Sequence, residues 1–169
     1  MNKALFLDRD GVINVEKNYL YLPKDVEWVE GIIEICRYYQ EHGYLLIVVT
    51  NQSGIARGMY TEEQFQLLSA WMSETLLDYG IKLDAIYHCP HHEAISGPCL
   101  CRKPSPGMLL QAKSDFELNM EHSVMIGDNE RDIEAALNAG VLITYLLSQD
   151  AHVSKATRII RTLRDLLPC

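Results

Sequence analysis

The stretch Ala4-Leu5-Phe6-Leu7-Asp8-Arg9-Asp10-Gly11-Val12-Ile13 decides how this chain folds. Its first four residues are apolar and read as a buried strand. They run directly into two carboxylates spaced two apart, with a glycine after them. A strand that meets D-x-D-G must stop and turn, leaving both acids at its carboxyl end. In open α/β sheets that end is where ligands bind. Alternate residues of an extended chain point the same way, so Asp8 and Asp10 can face one pocket. Two acids this close repel each other and need either a cation between them or a proton on one. A hard divalent ion such as Mg²⁺ prefers oxygen ligands, and a carboxyl that keeps its proton can act as a general acid. Taken alone, D-x-D-G suits a solvated Asx-type turn equally well, so the rest of the chain has to decide.

Working outward, four more apolar runs read as strands: Tyr44–Val49, Asp84–His88, Ser123–Ile126 and Val141–Leu147. Fully apolar strands suit a parallel sheet covered on both faces. Helical spacing predicts helices over Gly31–Gln40 with Gly43 just past the end, and from the Thr61/Gln64 capping box to about Tyr79. Further helices are predicted from a Ser105 cap with Pro106 at the first helical position to Lys113 or Phe116, within Glu130–Ala139, and over Lys155–Leu167. Asn14–Trp28, polar and tyrosine-rich, reads as an ordered surface loop. The alternation of strands and helices predicts an α/β fold, a doubly wound and mainly parallel sheet forming one domain over residues 1–169.

Composition narrows the function. The chain has 169 residues, 48% of them apolar and 22% charged, with a net charge of −8. That balance is globular, and the acidity argues against nucleic-acid binding, which wants a basic face. An anionic substrate would need local positive groups and a metal. The first residues enter a strand directly, with no secretory leader, and no apolar run is long enough to span a membrane. The expectation is a cytoplasmic monomer that contacts neither membrane nor nucleic acid. Five cysteines without a secretion signal argue against a disulfide framework.

Polar clusters follow three of the strands: Asp8 with Asp10, Thr50 with Asn51, and Asp128 with Asp132; Arg102-Lys103-Pro104 stands just before a helix. In a parallel sheet these ends share one edge and can converge. Asp8 and Asp128 could supply oxygens to Mg²⁺, Thr50 could donate to a phosphate oxygen, and Lys103 could act as a point cation. An aspartate in such a setting is a credible nucleophile for phosphoryl transfer. Separately, Cys89-Pro90-His91 and Cys99-Leu100-Cys101 offer three thiolates and an imidazole, from His91 or its neighbour His92. That is a tetrahedral Zn²⁺ set of the closed, structural kind.

In order and spacing, the four clusters resemble the four motifs of the haloacid dehalogenase (HAD) superfamily of phosphatases: Asp8-Arg9-Asp10-Gly11-Val12, Thr50-Asn51-Gln52-Ser53-Gly54, Arg102-Lys103-Pro104 and Gly127-Asp128-Asn129-Glu130-Arg131-Asp132. The resemblance implies that Asp8 attacks phosphorus and that Asp10 serves as general acid and then base. It implies Mg²⁺ on Asp8, the Asp10 carbonyl and Asp128, with Thr50, Asn51 and Lys103 on the phosphoryl group. Asp132 would orient Lys103 or a metal-bound water. DRDGVIN, TNQSGIARG, CRKPSPGM and the cysteine loop at 89–101 are similar to the group holding D-glycero-D-manno-heptose 1,7-bisphosphate phosphatases and histidinol-phosphate phosphatases.

That resemblance selects His91 as the zinc ligand with Cys89, Cys99 and Cys101. It implies a small phosphorylated sugar as substrate, with Arg57 and Arg102 as candidates to grip the part not cleaved. Nothing of domain size separates the motifs, so no large cap domain is expected. Asn129 departs from the heptose enzymes, which often carry a basic residue there. A histidinol phosphate or another small sugar phosphate is the alternative substrate. A zinc-containing module that only binds phosphate is the non-enzymatic alternative, and it has no use for the Asp8/Asp10 pair.

Overall fold

The computed structural model describes residues 1–169. Six parallel strands form one sheet: β1 (Lys3–Leu7), β2 (Tyr44–Asn51), β3 (Ala85–Cys89), β4 (Val124–Gly127), β5 (Ile143–Leu147) and β6 (Arg158–Ile160). Their spatial order is β3-β2-β1-β4-β5-β6. The chain winds outward from β1 in one direction and from β4 in the other, so the order reverses between these two strands. That reversal opens a crevice beyond their carboxyl ends, where ligands of doubly wound folds bind. Asp8 follows β1 and Asp128 follows β4, so the two acids stand on either side of it.

The helices are α1 (Ile32–Glu41), α2 (Glu62–Asp78), a one-turn α3 (Glu93–Ser96), α4 (Gly107–Phe116) and α5 (Glu130–Asn138). Strand alternation distributes the core to two faces. Leu5, Leu7, Leu46 and Val48 pack with Ile35 and Tyr39 of α1 and Leu68, Met72 and Leu76 of α2. Ala4, Phe6, Ile47 and Val49 pack with Met108, Leu109 and Ala112 of α4 and Ala135 and Ala136 of α5. Both faces of the central strands are dry, which is why these strands read as unbroken apolar runs. The capping box at Thr61 forms as its sequence predicts, with Gln64 N–H donating to Thr61 Oγ1 at 3.1 Å and Thr61 N–H to Gln64 Oε1 at 2.9 Å.

Two expectations are corrected. No helix spans Lys155–Leu167: Arg158–Ile160 add β6 to the sheet edge beside β5, and Leu163–Leu166 form only a 3-10 turn. Ile159, Ile160, Leu163 and Leu166 fit helical spacing, but Thr162 breaks the run. Its backbone is extended, and it caps the turn through Asp165. Ser105 does not cap α4 either; Pro106 occupies the cap position and the helix begins at Gly107. A side chain at Gly107 would meet the Leu100 carbonyl oxygen at 2.1 Å, so α4 starts hard against the cysteine loop. No helix is long and apolar enough to cross a membrane.

Candidate active site

The centre of the crevice is a buried ammonium. Lys103 is 1% exposed, and its Nζ lies 3.0 Å from Asp8 Oδ1 and 2.7 Å from Asp132 Oδ1 while donating to the Val49 carbonyl at 2.8 Å. All three of its hydrogens therefore have acceptors. The lysine reaches this point because Asn51, the last residue of β2, grips its backbone twice. Lys103 N–H donates to Asn51 Oδ1 at 3.0 Å, and Asn51 Nδ2 donates to the Lys103 carbonyl at 3.2 Å. The Lys103–Pro104 peptide is cis.

Asp132, wholly buried in the first turn of α5, spends its other oxygen on the backbone N–H groups of Asp128 (3.2 Å) and Asn129 (3.1 Å). Its carboxylate thereby orients both Lys103 and the turn that carries Asp128. A side chain at Gly127 would come within 2.3 Å of Asp132 Cβ, so only glycine lets that turn close. Gly11 matters in the same way. Its φ is +89°, and an added Cβ would lie 2.0 Å from Asp128 Oδ2. The glycine of D-x-D-G thus makes room for an acid that comes from β4.

Carboxylate oxygens of Asp8, Asp128 and Asp132 lie within 4.8 Å of one another, with one lysine among them. Burial, and then the Asp132 charge, hold the Asp8 carboxyl well above its usual range despite Lys103. The same two causes push Asp128 up to about 6. Asp132 is engaged at both oxygens, Oδ1 by its ion pair with Lys103 and Oδ2 by backbone N–H groups, and Asp8 Oδ1 also accepts from Arg9 N–H at 2.8 Å. The second Asp8 oxygen and the Asp128 carboxylate remain, sharing a proton or a cation. A hard divalent ion fits this donor set.

Asp10 is held from three sides. Arg9 Nη2 and Asn14 Nδ2 both donate to Oδ1 at 3.0 Å, and Gln52 Nε2 donates to Oδ2 at 2.9 Å. The same Gln52 nitrogen lies 2.9 Å from Thr50 Oγ1. Two adjoining cavities open here. The inner one, about 80 Å³, is lined by Asp8, Asp10, Lys103, Asp128 and Arg131 among others. The outer one, about 230 Å³, is lined by Asp10, Gln52, Arg102 and Arg131 among others.

The structure therefore brings Asp8, Asp10, Asn51, Lys103 and Asp128 to one cavity, with Arg102 in the outer part; Thr50 lines neither cavity and is buried behind them, linked to Asp10 through Gln52. Arg57 lines neither cavity; its Nη2 lies 2.8 Å from His92 Nε2 on the cysteine loop. Four residues escaped the sequence reading: Arg9, Gln52, Tyr60 and Arg131. Arg9 and Gln52 lie inside the recognised motifs but contribute through contacts across the turn, which spacing does not reveal. Arg131 carried a signal, since it is a cation two residues from the Asn129 departure. Asn129 caps α5, its Oδ1 accepting from Arg131 N–H at 3.1 Å.

The cysteine loop closes on itself. Cys89 Sγ lies 3.6 Å from both His91 Nδ1 and Cys99 Sγ; Cys101 Sγ is 3.3 Å from His91 Nδ1 and 3.6 Å from Cys99 Sγ. A tetrahedral zinc with ordinary bond lengths would have edges of about 3.8 Å between thiolates and about 3.5 Å from thiolate to imidazole. The observed edges are slightly tighter, and no disulfide forms. His92 turns away and accepts from Ala94 N–H at the start of α3.

With this geometry in place, comparison with known proteins is specific. A family model described as HAD-hydrolase-like matches residues 100–166. The chain is 47% identical over 165 residues to the D-glycero-alpha-D-manno-heptose-1,7-bisphosphate 7-phosphatase of Campylobacter jejuni, covering 98% of this chain and 94% of that one. It is 49% identical over 173 residues to the D-glycero-beta-D-manno-heptose-1,7-bisphosphate 7-phosphatase of Yersinia pestis, covering 96% and 92%. The chain belongs to the heptose-bisphosphate phosphatase family of the HAD superfamily. The crystal structure of D,D-heptose 1,7-bisphosphate phosphatase from B. bronchiseptica, complexed with magnesium and phosphate, superimposes with a TM-score of 0.84 at 28% identity, covering 95% of this chain and 93% of that one. The protein is a phosphatase with a Rossmann-like HAD fold.

The raised acids set a pH dependence. In the metal-free protein the folded-state value of Asp128, about 6, exceeds its ordinary 3.8. The stability this group contributes is full below the ordinary value and is lost as pH rises through about 6. A cation reverses the loss, because it must displace the proton. The thermal midpoint should therefore rise little on adding Mg²⁺ at pH 5 and several degrees at pH 7.5, with proton release in calorimetry at the lower pH. A Mg²⁺ response equal at both pH values would contradict this electrostatic account.

Proposed function

We propose that this phosphatase removes the 7-phosphate of D-glycero-D-manno-heptose 1,7-bisphosphate, with Asp8 as nucleophile and one domain carrying the whole site. The observation that carries the reading is the buried Lys103 bridging Asp8 and Asp132 beside the clustered carboxylates of Asp8 and Asp128. Lys103 and backbone N–H fix one oxygen of Asp8, and the other is left to attack phosphorus in line. As the Asp8–phosphorus bond forms, the bond to the sugar oxygen breaks and Asp10 gives that oxygen its proton. Asp10 then takes a proton from water, which attacks phosphorus and frees Asp8 with release of phosphate. Mg²⁺, held by Asp8, the Asp10 carbonyl and Asp128, would neutralise phosphoryl charge. Lys103 and the Thr50 hydroxyl do the same from the protein side.

Arg102 and Arg131 line the outer cavity and suit the second phosphate as guanidinium forks. Arg131 thus supplies a cation that Asn129 does not. This pair of cations favours a bisphosphate over histidinol phosphate, whose ammonium they would repel. Zn²⁺ on Cys89, His91, Cys99 and Cys101 would be structural. It would anchor the loop from which Arg102 enters the cleft, its Nη1 donating to the His91 carbonyl at 3.4 Å. The same reading makes the protein a cytoplasmic monomer.

Phosphate release from both anomers of the heptose bisphosphate, measured beside histidinol phosphate, tests the substrate. The heptose should be preferred by at least about a hundredfold in kcat/KM, roughly what losing one well-placed charged contact costs. Asp8→Asn should abolish turnover while the fold persists. Equal rates on histidinol phosphate would sink the assignment. Purified protein should also carry one zinc per chain, and a thiol-directed chelator should lower the thermal midpoint along with activity, because a structural site contributes folding energy. Metal-free protein with an unchanged midpoint would remove zinc from this account.

A further inference from the structure

We infer that Gln52, locked in one orientation by Tyr60, is a positioning residue that aims both the Thr50 hydroxyl and the Asp10 carboxylate at the reacting phosphoryl group. The inference deepens the functional reading above and rests on it. Gln52 is 2% exposed and Tyr60 5%. A carboxamide has one acceptor end and one end with two N–H donors. The Tyr60 hydroxyl donates to Gln52 Oε1, which fixes the carbonyl on that side. Both N–H groups then face oxygens: Asp10 Oδ2 at 2.9 Å and Thr50 Oγ1 at 2.9 Å. A flipped amide would set its carbonyl against two acceptors, so the hydrogen-bond network admits one orientation.

This orientation has two chemical consequences. Thr50 Oγ1 receives a hydrogen bond from Gln52, so its own hydrogen must go elsewhere. Its protein partner is the Asn51 carbonyl at 3.5 Å, a contact long enough for a phosphoryl oxygen to displace. Gln52 thereby makes Thr50 a donor toward the crevice. At Asp10, Oδ1 already accepts two donors, one of them the charged Arg9. Oδ2 has a single neutral donor, Gln52, so the amide fixes where that oxygen points.

The surroundings of Tyr60 are built for this anchor. Its ring stacks on Tyr21 with centroids 5.9 Å apart and planes 15° from parallel. A side chain at Gly54 would reach 2.3 Å from Tyr60 Cε1 and 2.9 Å from Tyr19 Cδ1. The glycine of T-N-Q-S-G therefore leaves space for the tyrosine six residues on. The motif and Tyr60 form one unit, with the amide as its output.

The test is a double-mutant cycle on the heptose bisphosphate, with Gln52→Met, Tyr60→Phe and the pair together. Methionine keeps the length and removes every donor. Gln52→Met should lower kcat by roughly 30- to 100-fold, the lower range for losing general-acid alignment, with KM changed less than about threefold. Tyr60→Phe should cost roughly tenfold alone and nothing further on top of Gln52→Met, since residues acting as one unit are non-additive. Gln52→Glu, isosteric and still able to accept from Tyr60 but without N–H donors, gives a second route and should show the same loss of kcat with KM little changed. Multiplicative effects in the double variant, or a loss carried by KM and not by kcat in both Gln52 variants, would overturn the inference. A wild-type protein inactive on the substrate would instead bring down the functional reading beneath it.

Discussion

One ammonium group, sealed from solvent, ties the two halves of the sheet together. Lys103 Nζ touches Asp8 beyond β1, the Val49 carbonyl in β2 and Asp132 at the start of α5. A buried charge costs several kcal/mol unless its partners are close and its hydrogens satisfied. Here both conditions hold, and burial fails to lower the lysine below its usual value because the two carboxylates outweigh it. The same geometry leaves a surplus of negative charge, since one lysine faces Asp8, Asp128 and Asp132. That surplus suits a divalent cation: the protein alone does not balance its own centre.

Most of this was legible because buried parallel strands write themselves as apolar runs and their ends as polar clusters. Tyr44–Val49 and Ser123–Ile126 could hardly be anything but central strands, and Asp8, Thr50 and Asp128 follow directly from where those strands stop. The edge of the sheet was not legible. A three-residue strand such as Arg158–Ile160 buries little and leaves no period to read, so the apolar spacing of Ile159, Ile160 and Leu163 suggested a helix that tertiary pairing overrides. The site showed the same division. The candidates at strand ends gather at the crevice as expected; Gln52, Tyr60 and Arg9, which reach them by hydrogen bonds across the turn, leave no mark in the spacing. Arg57 sits in the same loop as the motif, yet turns to His92, a choice made by loop conformation and not by spacing.

In the motif after β4 the cation at the cavities comes from Arg131. Asn129 is given over to helix capping, and Arg131, one half-turn on, faces both cavities. Arg102 approaches from the opposite side on the cysteine loop, adjoining the pinned cluster. The outer cavity is thus flanked by cations from two elements with independent supports, one a helix start and one a loop closed by thiols.

The most direct measurement is chemical trapping of the enzyme during turnover. The reaction is quenched in acid, reduced with borohydride, and digested for mass spectrometry. An acyl phosphate on Asp8 should appear as homoserine at position 8, absent from Asp10 and from unreacted enzyme. Efficient turnover with residue 8 never modified would contradict covalent phosphoryl transfer to Asp8.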